Sequence, residues 1–93
     1  MFEHILNVMR EQVRTYHYVM TLHAEEEMND DKLTIYDVES AILTGQIVER
    51  QKDQVTGEWK YRIQGNAVDG GEIELVAKLS PTGVLVLVTV YVL

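Results

Sequence analysis

The sequence has no cysteine. Disulfides, thiolate metal sites and a thiol nucleophile are therefore excluded, and a reducing, cytoplasmic setting is the expectation. Proline occurs once, at Pro81, so no proline-rich linker interrupts the chain, and no internal repeat or low-complexity tract is present. Long hydrophobic runs are missing as well. The longest, GVLVLVTVYVL at residues 83–93, is about half the length of a membrane-spanning helix. The opening MFEHILNVMREQ puts Glu3 and His4 where a secretory signal needs a basic region and an apolar core, so no targeting peptide is expected. Basic residues are scarce: eight Lys and Arg stand against fifteen Asp and Glu, for a net charge of −7. Such a chain repels nucleic-acid phosphates at long range. No glycine-rich phosphate loop and no nucleophile elbow appears.

What is present reads as one domain, residues 1–93, large enough for a single core without staples. Phe2, Ile5, Leu6, Met9 and Val13 recur at steps of three and four, which predicts an amphipathic helix from about Glu3 to Arg14. Tyr16 to Thr21 is aromatic and β-branched and predicts a short extended piece. Leu22 to Asp31 predicts an acidic helix, its early Glu25, Glu26 and Glu27 suited to the positive end of the helix dipole. Thr34 and Asp37 have the spacing of a capping box at the start of a helix over 34–44, with Gly45 expected as a left-handed C-terminal cap.

After Gly45 the periodicity changes to that of antiparallel sheet. Strands are predicted over Ile47–Asp53, Glu58–Gln64, Glu72–Leu79 and Val84–Leu93, with turns at 55–57, 69–71 and 80–83. The last strand is apolar at both parities and is expected to be central and covered on both faces. The fold class is α+β: N-terminal helices packed on a mostly antiparallel sheet of about four strands.

Charge is uneven. From His23 to Thr44 there are seven acidic residues and one basic, a surface that would steer basic partners. Arg50, Lys52, Lys60 and Arg62 flank the first hairpin turn. An odd-length loop would put all four on one face as an anion-binding patch; an even one would set Arg62 against Glu49 or Gln51. The register is open at this point.

His23 is the leading candidate for chemistry, because Glu26 and Glu27 lie three and four residues on and either carboxylate can reach its imidazole on a helix. A His–carboxylate pair can serve as a general acid or base, and it can equally be a helix-start histidine that satisfies backbone groups. Metal binding is not expected: His4, His17 and His23 fall on three different elements, without ligand spacing. Thr89 and Tyr91 share one face of the last strand, where a tyrosine hydroxyl needs a partner.

The pattern Thr21-Leu22-His23-Ala24, Met28, Ile35, Asp37-Val38, Ala41-Ile42, Gly45, Ile47 and Glu49 resembles the small prokaryotic family catalogued as domain of unknown function 4258. Tyr61 to Gly65, Glu72 to Val76 and Val88 to Tyr91 continue the likeness, which covers nearly all of the chain from about Val13. The resemblance implies a RelE-like fold with a curled sheet, in a superfamily of RelE- and BrnT-like toxins, several of which cleave RNA. It implies a metal-independent endoribonuclease site without cofactor, drawn from His23, Glu27, Glu49, Arg62 and Tyr91. In that site Lys78 assists Arg62, and an antitoxin is the implied partner. Two departures accompany it. Relatives often carry Arg where this chain has Glu27, and toxins of this fold are usually basic. The second reading is a non-catalytic binding or assembly module that kept the fold and holds a basic protein on the acidic His23–Glu39 surface or at a sheet edge.

Overall fold

The computed structural model describes residues 1–93 and has three helices and five strands. They are α1 (Glu3–Arg14), β1 (Tyr18–Met20), α2 (Leu22–Asp30), α3 (Ile35–Thr44), β2 (Gln46–Lys52), β3 (Trp59–Asn66), β4 (Glu72–Leu79) and β5 (Leu85–Val92). The strands form one open sheet in the order β1-β5-β4-β3-β2. Consecutive strands from β2 to β5 pair antiparallel, whereas β1 runs parallel to β5, Tyr18 opposite Leu85 and Met20 opposite Leu87. The α+β class holds. The expected four strands are joined by a fifth, because the aromatic and β-branched Tyr18-Val19-Met20 segment lands on the edge of β5.

The helices start where their sequences direct. Thr34 Oγ1 accepts from the Asp37 amide while Asp37 Oδ2 accepts from the Thr34 amide, so the capping box forms. Asp37 Oδ1 also accepts from Val68 N–H, tying the α3 start to the β3–β4 loop. Thr21 caps α2. The expectation for Gly45 fails: its φ of −91° is not left-handed. The glycine is needed for space, since a Cβ there would lie 2.4 Å from the carbonyl oxygens of Ala41 and Gln64. Gly65 is tighter still, 2.1 Å from Ala41 O. These two glycines let α3 lie directly on the β3 backbone.

One apolar core lies between the helices and one face of the sheet. Met9 and Val13 from α1, Ala24 from α2, and Val38, Ala41 and Ile42 from α3 meet Ile63, Ile73, Leu75, Leu87 and Val90. The second face carries no member of this core. The expectation that the last strand is covered on both faces is therefore half right. β5 lies between β1 and β4 over Leu85–Leu87 and borders β4 alone beyond them, and its Leu85, Leu87 and Val90 are fully buried. Val86, Val88, Thr89 and Tyr91 remain half-buried, and the neighbouring Val19 is 52% exposed. No helix is long and apolar enough to cross a membrane.

Candidate functional site

The β2–β3 hairpin settles which charges share a face. Lys52 pairs with Trp59, Gln51 with Lys60, Arg50 with Tyr61 and Glu49 with Arg62. The intervening residues 53–58 are even in number, so the four cations divide between the faces. Arg50 and Lys52 fall on the helix side, where Arg50 stacks 3.9 Å from the Trp59 ring centroid and Lys52 lies 5.6 Å from it. Lys60 and Arg62 fall on the open face. Asp53 anchors the turn by accepting from Val55 N–H and Thr56 N–H, and it pairs with Lys60 at 3.0 Å. The two amides and the Lys60 ammonium hold the Asp53 carboxyl well below the usual carboxylate range.

Cross-strand register brings three of the sequence-predicted residues together on the open face. Glu49 lies opposite Arg62 on β3, Arg62 opposite Val76 on β4, and Val76 opposite Thr89 on β5. One row over run Gln64, Glu74 and Tyr91. Arg62 sits between two carboxylates, 3.5 Å from Glu49 and 3.5 Å from Glu74. Glu74 is only 1% exposed and accepts a 2.8 Å bond from Gln64 Nε2. Its second oxygen and Arg62 Nε are buried without a hydrogen-bond partner, each at a cost of about 1–3 kcal/mol. Lys78, the expected second cation, pairs with Glu58 at 3.1 Å. Glu74 is the residue that sequence reasoning missed. It sits in an ordinary alternating strand pattern, and only the register shows that its carboxylate meets Arg62.

His23 and Glu27 sit elsewhere, where α2 runs along the edge of β5. The inward stripe of α2 is Ala24, Glu27 and Met28, with the exposed Asp31 following as its C-cap. Glu27 Oε1 is 3.0 Å from His23 Nε2, so of the two carboxylates left open by the spacing Glu27 is the one in contact. The same oxygen accepts from Val90 N–H at 3.2 Å, and Asp31 Oδ2 accepts from Val92 N–H at 3.1 Å. Thr21 completes the seam, donating its N–H to Leu87 O and its hydroxyl to Val88 O. Beyond the three residues paired with β1, the edge of β5 is thus closed by side chains of a helix. Glu27 has a structural task that accounts for a carboxylate at this position.

The acidic segment is similarly committed. Glu27, Asp31 and Asp37 accept from backbone amides, and Glu39 accepts a 2.5 Å bond from the Tyr18 hydroxyl. Burial, followed by this contact with a carboxylate, pushes the Tyr18 phenol well above its usual range. Glu25, Glu26 and Asp30 are left pointing outward from α2, with the exposed Leu22 on the same side. A groove of about 510 Å³ opens between the start of α1 and β2, lined by Phe2, Leu6, Arg10, Ile47 and Val48. His23 with Glu27 offers two metal-ligand atoms, and no group of three or more His, Asp or Glu side chains is arranged to hold a metal ion.

Among curated proteins, the alpha subunit of the mRNA-capping enzyme from Eremothecium gossypii is 30% identical over 71 residues, which is 75% of this chain. The chain spans only 15% of that protein's length. No solved structure matches. The segment that carries α2, α3 and strands β2 to β5, residues 20–92, matches a family model, and the chain accordingly belongs to the family described as a domain of unknown function, DUF4258.

Proposed function

We propose that this chain is a non-catalytic protein-binding module that holds a basic partner on the outward face of α2. The observation that carries the reading is the pairing of the open face. Arg62 is bracketed by Glu49 and Glu74, Lys60 by Asp53 and Lys78 by Glu58. A toxin-type ribonuclease needs a cation free to stabilise a developing phosphorane and a general base free to take a proton. In this chain each open-face cation already has a carboxylate, and the carboxylate beside His23 is bonded to the β5 backbone. His23 and Glu27 lie along a strand edge, while Glu49, Arg62 and Tyr91 lie on the sheet face.

The outward residues Leu22, Glu25, Glu26 and Asp30 give the module its surface. An apolar contact among uncompensated carboxylates, on a chain of net charge −7, favours encounter with a basic protein. The test is capture of the purified chain's partner at low salt, followed by a wash at high salt, with a Glu25→Lys/Glu26→Lys/Asp30→Lys chain in parallel. The expected result is a basic protein retained at about 50 mM salt, released at about 500 mM, and not captured by the charge-reversed chain. Capture that is indifferent to salt and to these substitutions would contradict the reading.

A further inference from the structure

We propose that α2 is a removable cover over a self-association edge, and that a second copy of this chain pairs antiparallel with β5 through Val88–Val92 when α2 is released. The proposal uses the inward face of α2 and stands independently of the partner surface above.

The cover is weakly built. Only Ala24 of its nine residues is fully buried. Glu26 with Asp30 and Glu27 with Asp31 are like-charge pairs at i and i+4, which destabilise a helix. Its C-terminal turn ends on Asp30 and Asp31 without a basic residue, the wrong sign for the negative end of the dipole. Two carboxylate–amide bonds, the Thr21 seam, Ala24 and the half-buried Met28 hold it down.

The edge beneath is suited to another strand. Val90 N–H and Val92 N–H point outward, since they meet Glu27 and Asp31, and so does Val88 C=O, which meets Thr21. An antiparallel copy centred on Val90 sets Val92 N–H against the other chain's Val88 C=O. Each Val90 N–H then meets the Val90 C=O of the other. That register places Thr89 opposite Tyr91 and Val88 opposite Val92, β-branched and aromatic pairs of the stabilising kind. Residues 84–93 contain no charged side chain, so no like-charged side chains oppose. The other long edge, β2, is guarded by a bulge at Val48 and by Glu49, Arg50 and Lys52.

The experiment is sedimentation velocity on the full chain and its Glu27→Ala/Asp31→Ala variant over a range of concentrations, with circular dichroism to confirm the fold. The expected result is a dimer whose dissociation constant is lower than that of the parent chain by about tenfold or more. Adding Thr89→Lys and Tyr91→Lys, which sets lysines opposite one another in the proposed register, should return it to monomer. If the double alanine chain loses its fold, Glu27→Ala alone, which keeps the Asp31 bond, takes its place under the same reading. A folded variant that sediments as the parent does, or a dimer that survives the two lysines, would overturn the proposal.

Discussion

Asp37 joins two parts of the chain. One oxygen closes the α3 capping box and the other fixes the β3–β4 loop through Val68 N–H. The backbone amides of Thr34 and Val68 hold its carboxyl below its ordinary value of 3.8. A depressed carboxylate contributes stability that is present above the unfolded value and lost as pH falls through the folded one. Chemical denaturation between pH 6 and 2 should therefore show stability dropping below about pH 3.8, with a shallower drop in Asp37→Asn. Thr34→Ala should cost about 1 kcal/mol at neutral pH. Tyr18 has the opposite sign. Its phenol is raised above 10.0, so its bond to Glu39 contributes fully below that value and is lost as pH rises beyond it. Tyr18→Phe should cost about 1 kcal/mol near pH 7 and flatten the alkaline decline in melting temperature. The capping box was legible in the sequence because its partners are three residues apart. The Tyr18–Glu39 bond was not, since 21 residues and the placement of β1 separate them.

At the scale of elements, local signals located the helices and strands, and long-range geometry supplied what they could not. The Glu3–Arg14 helix and the Glu72–Leu79 strand were readable from periodicity alone. A glycine directly after a helix is usually its cap, which is what the position of Gly45 suggests. Its true constraint, the closeness of the β3 backbone, appears only once α3 is docked. Gly65→Ala tests that docking: a methyl 2.1 Å from Ala41 O should destabilise the fold by about 3 kcal/mol, read as a shift in denaturant midpoint. The open-face pair offers a second test. Arg62→Met leaves Glu74 buried without its cation and should cost about 2 kcal/mol, discounted for the partial exposure of Arg62. Pairing it with Glu74→Leu should recover most of that loss. The hairpin register that created this pair depended on a six-residue loop whose length no local pattern fixed.

At the scale of the whole molecule, the candidate residues lie on the open face of the sheet and along the adjoining edge of β5. The resemblance to DUF4258 was readable from its motifs, and residues 20–92 bear it out. How His23, Glu27, Glu49, Arg62 and Tyr91 lie relative to the sheet was not readable, because sequence spacing does not say which face a strand presents to its neighbour. The register puts three of the five around a buried Glu74 and leaves two as a clasp on the edge of β5. On the proposed reading, an acidic chain whose open-face cations are already paired binds phosphate weakly and holds a basic protein instead. The most direct test of that view is a single-turnover assay of the purified chain on free and ribosome-bound RNA, with His23→Ala and Arg62→Ala alongside. The expected result is no cleavage by any of the three beyond the protein-free control. Cleavage by the parent chain that disappears in either variant would contradict a non-catalytic role and restore the ribonuclease reading.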